Sequence, residues 1–199
     1  YGAGALGSCA VAILRALYPD VEVGVVARFD SQAELATRLG AHRVFRHEPL
    51  RELIEEITEW SGGVLHPERA LPMAFPGGVD VVYDTIAKQD SQEVSVRVLK
   101  ARGTLVKAGV HGEFAWEWTP LYFKEIVWVG SNAFGIEEVE GVRKHGIAHY
   151  LDLVESGRID LSPMLTHTFA LDDWRSAFTA LATQADSGAV KVAFDQRTA

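Results

Sequence analysis

Gly2-Ala3-Gly4-Ala5-Leu6-Gly7 runs without a break into the apolar-striped Leu6–Tyr18, and no other stretch constrains the chain as tightly. A G-x-G-x-x-G turn that opens a helix gives each glycine its own task. Gly2 permits a tight turn, Gly4 leaves no side chain between the backbone and a pyrophosphate, and Gly7 lets the helix pack close against a strand. The uncapped N–H groups around Ala5 and Leu6, at the positive end of the helix dipole, then face an anion. A glycine-rich turn also occurs without any ligand, so its context decides. Here a helical stripe follows at once, and Val21–Ala27 reads as the next strand, ending about 20 residues past Gly7 as the dinucleotide fingerprint requires. A doubly wound sheet places a central strand before the turn, where only Tyr1 stands. The expectation is a piece of a longer natural chain, opening inside its first strand.

Composition narrows the class of partner. The chain has 199 residues, 48% of them hydrophobic and 23% charged, enough for one globular domain plus an appendage. A formal net charge of −8 argues against nucleic acid, which calls for a basic face. No signal-peptide pattern and no apolar run of about 18 residues is present, so no membrane role is expected. Cys9 is the single cysteine. It has no disulfide partner within the chain, and a cytoplasmic setting is the natural expectation.

Strand and helix patterns then alternate. Leu6, Ala10, Ile13, Leu14 and Leu17 stripe the first helix, which Pro19 closes. Val21 to Val26 is β-branched enough for a strand buried on both faces. Ser31-Gln32-Ala33-Glu34 has capping-box spacing and starts a helix that Gly40 stops. Val44-Phe45 is a short strand, and Leu50, Leu53, Ile54, Ile57 and Trp60 stripe the next helix. Ser61 to Gly78, rich in Gly and Pro, reads as a surface excursion. Val79–Tyr83 resumes as a strand, Asp90-x-x-Glu93 caps a helix carrying Val94, Val98 and Leu99 that Gly103 ends, and Leu105–Ala108 is a strand. Thr119-Pro120 opens a short helix, Ile126–Gly130 is a further strand, and a longer helix is expected over Val139–Ser156. This pattern predicts an α/β fold, a doubly wound parallel sheet with helices on both faces and the ligand over the carboxyl ends of the strands. Leu161–Leu171, Asp172–Ala182 and Ala189–Phe194 continue it less cleanly and are expected to leave the sheet.

Five stretches together resemble the medium-chain, zinc-type alcohol dehydrogenases: Gly2–Gly7, Leu35–Ala41 ending in Leu39-Gly40-Ala41, Val79–Asp84 before Thr85, Lys124–Gly135, and Ser187-Gly188-Ala189-Val190-Lys191-Val192. With the order of elements they cover essentially the whole chain. The resemblance implies a dinucleotide-binding Rossmann domain over residues 1–157 and a return into a catalytic domain over residues 158–199. That catalytic domain, with most cysteine, histidine and glutamate ligands of the family's zinc, would lie outside this chain. The structural zinc loop has no counterpart, since Cys9 is alone. The chain is therefore expected to bind NADP or NAD, to carry no catalytic residue and no metal ligand, and to be inactive by itself. In the intact protein the reaction implied is hydride transfer between a small alcohol and its aldehyde or ketone.

The end of the second strand discriminates between the two cofactors. An acidic residue there bonds the adenosine ribose and repels a 2′-phosphate. Counting back from Leu39-Gly40-Ala41, Ala27 holds that position and Arg28 follows, which favours NADP. Asp30 lies close enough in sequence to neutralise Arg28, and a solvated Arg28 in an enzyme tolerant of both cofactors is the plainer alternative. By the same resemblance Thr85 and Ile86 flank the adenosine side, Ala108, Gly109 and Val110 line the nicotinamide half, Ser131 and Ala133 hold the carboxamide, and Lys191 addresses the pyrophosphate. Each has loop packing or a solvated surface position as its ordinary explanation. His145 and His149 share a helical spacing suited to a metal but lack a third ligand, and His111 is a loop histidine close to the Gly109 turn.

The apolar strand Ile126-Val127-Trp128-Val129, if at the sheet edge, invites pairing with a second copy, and family members dimerise through such an edge. A homodimer is expected. Three alternatives stay open: a zinc-free quinone or enone reductase with the same coenzyme domain, a dinucleotide-binding module without chemistry, and an S-adenosylmethionine methyltransferase, whose glycine turn fits the spacing less well.

Overall fold

The structure, a computed structural model, describes residues 1–67, 70–110, 112–132 and 135–198, the last by its backbone only. In chain order the elements are α1 (Ala5–Leu17), β1 (Gly24–Ala27), α2 (Asp30–Arg38), β2 (Arg43–Arg46), α3 (Leu50–Trp60), β3 (Leu65–His66), β4 (Met73–Ala74), β5 (Val79–Asp84), α4 (Gln89–Val98), β6 (Leu99–Lys107), α5 (Thr119–Phe123), β7 (Val127–Gly130), β8 (Ile136–Val139), β9 (Val142–His145), α6 (Gly146–Glu155), β10 (Leu165–Phe169), α7 (Trp174–Ala182), α8 (Gln184–Ser187) and β11 (Lys191–Phe194). They form two compact units, one of Tyr1–Gly2 with Phe45–Phe134, the other of Ala3–Val44 with Gly135–Ala199.

In the first unit β5, β6 and β7 make a parallel sheet in that order. Val82 faces Leu105, and Leu105 in turn faces Trp128. Val94, Val96 and Val98 of α4 are buried, as are Leu99 and Leu105 of β6. The apolar stripe of α3 forms as its spacing requires, with Leu53, Ile54 and Ile57 buried. Two expectations change here. The stretch between Ser61 and Gly78 is not wholly irregular, because β3 and β4 pair antiparallel with Leu65 opposite Ala74. Helix α4 stops at Val98 rather than near Gly103, since Leu99 turns extended (ψ 142°) and pairs with Val79 of β5. Sheet pairing of a fully buried leucine overrides the helical stripe that includes it. The cap of α4 also differs. Ser91 Oγ accepts the Lys88 N–H at 3.0 Å, while Glu93 faces Arg97 at 3.1 Å and accepts the Glu117 N–H at 2.8 Å.

In the second unit β1 is the buried strand expected, with Val25, Val26 and Ala27 all buried. One core gathers Ala3, Val11, Val23, Val25, Ala27 and Ala36, and a second gathers Ala12, Leu153, Ile159 and Leu161. The buried face of α1 is Gly7, Ser8, Val11 and Ala12, so Leu6, expected inward, is exposed instead. Helix α2 starts from an extended Phe29 with no side-chain cap, which places Ser31 inside its first turn. The largest departure is the expected long helix over Val139–Ser156. Glu140 (φ 52°) and Gly141 (φ 77°) instead make a two-residue hairpin turn between β8 and β9, with Val139 opposite Val142. Only then does α6 begin, with His145 Nδ1 accepting the Ile147 N–H at 3.1 Å as its cap. In the tail β10 and β11 pair parallel as a separate two-stranded sheet, with α7 between them in sequence.

Lys124 is 1% exposed, and its Nζ donates to the carbonyls of Ala74 (3.1 Å), Arg97 (2.8 Å) and Leu99 (2.6 Å). Three acceptors match the three protons of an ammonium. Burial first, then the neighbouring Arg97 charge, lowers its pKa from 10.5 to about 7. Between those values the unfolded chain carries a proton that the folded chain lacks, so this group makes stability rise with pH across that window and adds no slope below about 7. Lys124→Met should cost about 1–3 kcal/mol at neutral pH by stranding buried carbonyls. Chemical denaturation should show the gap to wild type widening as pH rises from neutral toward 10.5; a constant gap would contradict the lowered pKa.

Candidate functional site

Tyr1 lies along the end of β5, where the sequence calls for a strand. Its carbonyl accepts the Thr85 N–H at 3.0 Å and the Thr85 hydroxyl at 2.9 Å, and its amine donates to the Tyr83 carbonyl at 2.6 Å. Gly2 follows at φ +97°, and a Cβ there would meet Thr85 Oγ1 at 2.6 Å and Ile86 Cδ1 at 2.8 Å. Neither the backbone angle nor the space admits another residue. Gly109 is as confined: its Cβ would lie 2.7 Å from the Thr85 carbonyl oxygen. The N–H groups of Ala108 and Gly109 both donate to the Asp84 carbonyl at 3.0 Å. Ser131, just past β7, donates its N–H to the Lys107 carbonyl at 2.9 Å. Because β5, β6 and β7 run parallel, these residues follow carboxyl ends of neighbouring strands. Gly2, Thr85, Ile86, Ala108 and Gly109 come together there, Ser131 stands beside them in register, and Val110 reaches outward with 90% exposure. Ala133 and His111 lie outside the described residues.

Beneath this edge lies a residue that sequence reasoning used only as part of a strand pattern. Asp84 is fully buried. One carboxylate oxygen accepts from the N–H groups of Ile86 (3.0 Å) and Ala87 (2.9 Å), the other from Ser91 Oγ (3.0 Å) and Lys107 Nζ (2.6 Å). The available signal was a carboxylate in phase with the buried Val82, with a lysine closing the next strand.

The second unit carries the remaining candidates. Gly4 is the extended N-cap of α1, with no side-chain cap and no acidic residue in the first turn. Ser8 is the first to return an N–H into the helix, to the Gly4 carbonyl at 2.9 Å. A Cβ built on Gly4 meets no atom of the described residues within 4 Å. Ala5, Leu6 and Gly7 therefore present the first turn of a 13-residue helix beside bare main chain. Ala27 is buried at the end of β1, and the exposed Arg28 lays its guanidinium 5.3 Å from the centroid of the Phe29 ring. Lys191 opens β11 in an exposed position. Its charge opposes the upward shift that burial imposes on the Cys9 thiol, so it sits near the second turn of α1.

The histidine pair is otherwise engaged. His145 caps α6, and His149 Nε2 bonds the Glu137 carbonyl at 3.1 Å. Among the described residues one group, His47, Glu48 and Asp90, brings possible ligand atoms within 4.8 Å of one another. Both carboxylates are exposed, His47 Nδ1 is bonded to the Tyr1 hydroxyl at 2.7 Å, and Cys9 is not part of the group. This is not a cysteine–histidine–glutamate zinc set, and no zinc is assigned to these residues.

The zinc-binding dehydrogenase family model matches residues 5–148. An alcohol dehydrogenase of Cupriavidus necator is 27% identical over 193 residues, 97% of this chain and 47% of its own. An L-threonine 3-dehydrogenase of Shewanella sp. strain W3-18-1 is 27% identical over 198 residues, 98% of this chain and 50% of its own. The chain thus spans about half the length of the curated relatives it matches. A crystal structure of a short chain alcohol dehydrogenase from E. coli CFT073, complexed with NADH, covers 96% of this chain and 50% of its own at a TM-score of 0.72 and 20% identity. That likeness fixes the fold as the expected α/β, Rossmann-like type. With its glycine turn opening α1 and its parallel strand ends in register, the chain belongs to the zinc-binding dehydrogenase family.

Proposed function

We propose that this chain is the coenzyme-binding part of an NAD(P)-dependent oxidoreductase. Residues 1–157 would form its dinucleotide domain and residues 158–199 its return into a catalytic domain. In the intact protein the reaction is reversible hydride transfer between a small alcohol and its aldehyde or ketone, a reading supported by relatives named alcohol dehydrogenase and L-threonine 3-dehydrogenase. The observation that carries this is the open main chain at Gly4 in front of an uncapped helix, which suits a pyrophosphate. When bound, the nicotinamide ring supplies the hydride acceptor or donor. The protein's own part is to hold and orient. The first turn of α1 and Lys191 take the diphosphate, Thr85 and Ile86 flank the adenosine, and Ala108, Gly109, Val110, Ser131 and Ala133 line the nicotinamide half.

Ala27 offers no carboxylate to repel a 2′-phosphate and Arg28 is exposed beside it, which supports NADP over NAD. Strand β7 lies at the end of its three-stranded sheet with Val127, Trp128 and Val129 exposed, which supports a homodimer formed through that edge. No helix among the described residues is long and apolar enough to cross a membrane. The cytoplasmic setting rests on the lone cysteine.

Calorimetric titration should show binding of NADPH and NADH and none of S-adenosylmethionine; binding of the methyl donor alone overturns the reading. Gly4→Val, at a backbone angle that valine tolerates, should weaken NADPH binding at least tenfold, about 1.4 kcal/mol, while costing folding stability only about 1 kcal/mol. Arg28→Ala should lower the NADPH-to-NADH affinity ratio by about tenfold, and an unchanged ratio would remove the NADP assignment. Sedimentation should give a dimer at micromolar concentration that Trp128→Glu converts to monomer.

A further inference from the structure

We propose that Asp84 and Lys107 form a positioning pair that holds the strand-end loops in the arrangement a dinucleotide requires. This rests on the reading of the chain as a dinucleotide binder and names what sets the geometry of that site.

The main chain and side chains of these two residues hold Ile86, Ala108, Gly109 and Ser131 at this edge, while Thr85 is bonded to the Tyr1 carbonyl. The Asp84 carboxylate fixes the turn after β5 through the N–H groups of Ile86 and Ala87, and Ala87 takes a left-handed φ of 58° there. The Asp84 carbonyl fixes the turn after β6 through Ala108 and Gly109. The Lys107 carbonyl fixes Ser131 after β7. The register sets Asp84 opposite Lys107 and Lys107 opposite Gly130. The ion pair then ties the first two turns together, with Lys107 Nζ also bonded to Gln92 Oε1 at 2.9 Å and Asp84 to Ser91 at 3.0 Å, which extends the link to α4.

Stability alone does not call for such a pair. A buried ion pair is often no more stabilising than apolar residues of similar volume, whereas removing one partner strands a buried charge. A carboxylate and an ammonium facing each other where β5 and β6 end are thus better accounted for by the turn geometry they impose. Neither is assigned contact with the dinucleotide, so both act through Ile86, Ala108, Gly109 and Ser131.

The test uses the full-length protein, with dissociation constants for NADPH and NADH and melting temperatures measured in parallel. Lys107→Met should weaken binding of the preferred cofactor by about tenfold or more, as loss of a supporting partner does in other sites. Lys107→Arg should restore binding to within about threefold of wild type. If Lys107→Met does not fold, the double variant Asp84→Asn/Lys107→Met, which leaves no lone buried charge, should melt close to wild type and still show the loss. Binding within about threefold of wild type in the double variant, whatever its melting temperature, overturns the positioning role. So does an arginine variant as weak as the methionine one. Wild-type protein that binds neither cofactor overturns the dinucleotide reading itself, and this inference falls with it.

Discussion

Main chain lies directly against main chain where Gly109 meets Thr85, Gly2 sits against the side chains of Thr85 and Ile86 beside it, and neither glycine has room for a Cβ. The rest of the strand-end arrangement follows from that approach. It sets the turn after β5 against the turn after β6, and it lets Tyr1 bond alongside β5 through both its amine and its carbonyl. A methyl group at Gly109 would have to displace the carbonyl of Thr85, so the two turns would part. The glycines thus act as spacers of zero thickness, and the side chains around them are placed by what the spacers allow.

The same sheet is held at both ends by a lysine, half-buried at one and buried at the other, and the contrast shows how partners decide a charge. At the carboxyl ends Lys107 meets the carboxylate of Asp84. At the amino ends Lys124 meets neutral carbonyls, of Ala74 before β5, of Arg97 near the end of α4 and of Leu99 at the start of β6. Carbonyl dipoles, aided at the helix terminus by the macrodipole, solvate the cation without neutralising it. Burial, and after it the neighbouring Arg97 charge, nonetheless lowers its affinity for the proton. Arg97 is also buried, with Glu93 at 3.1 Å and a short bond to Glu117. An acidic chain has thus buried two of its cations, Arg97 and Lys124, inside one unit, where they organise strand and helix ends.

What could be read from the sequence was mostly local. The stripe of α3, the β-branched β1 and the glycine turn into α1 each announce themselves within about a dozen residues, because period and composition agree there. Readings failed where a distant partner decides the outcome. Leu99 continues the helical spacing of Val94 and Val98 but is claimed by Val79 across the sheet. Ser31 has the spacing of a cap, yet the chain is already helical at Asp30. The hairpin of β8 and β9 was hidden because its turn is Glu140-Gly141, less familiar than Asn-Gly or Asp-Gly, and because the apolar residues after Gly146 continue as a true helix. At the site, the glycines and strand-end positions were legible from spacing and resemblance. The bond between Asp84 and Lys107 was not, since 22 residues separate the two carboxyl-terminal strand positions and only the parallel register joins them.

Three of the five tryptophans, Trp116, Trp118 and Trp128, crowd together on the unit that ends in β7, with ring centroids 4.4 to 6.3 Å apart. Trp118 and Trp128 remain well exposed. An indole's emission tracks the polarity around it, so three of the protein's five fluorescent indoles stand beside one strand. The molecule thereby carries a built-in optical gauge of whether that strand is wet or covered, readable without any label.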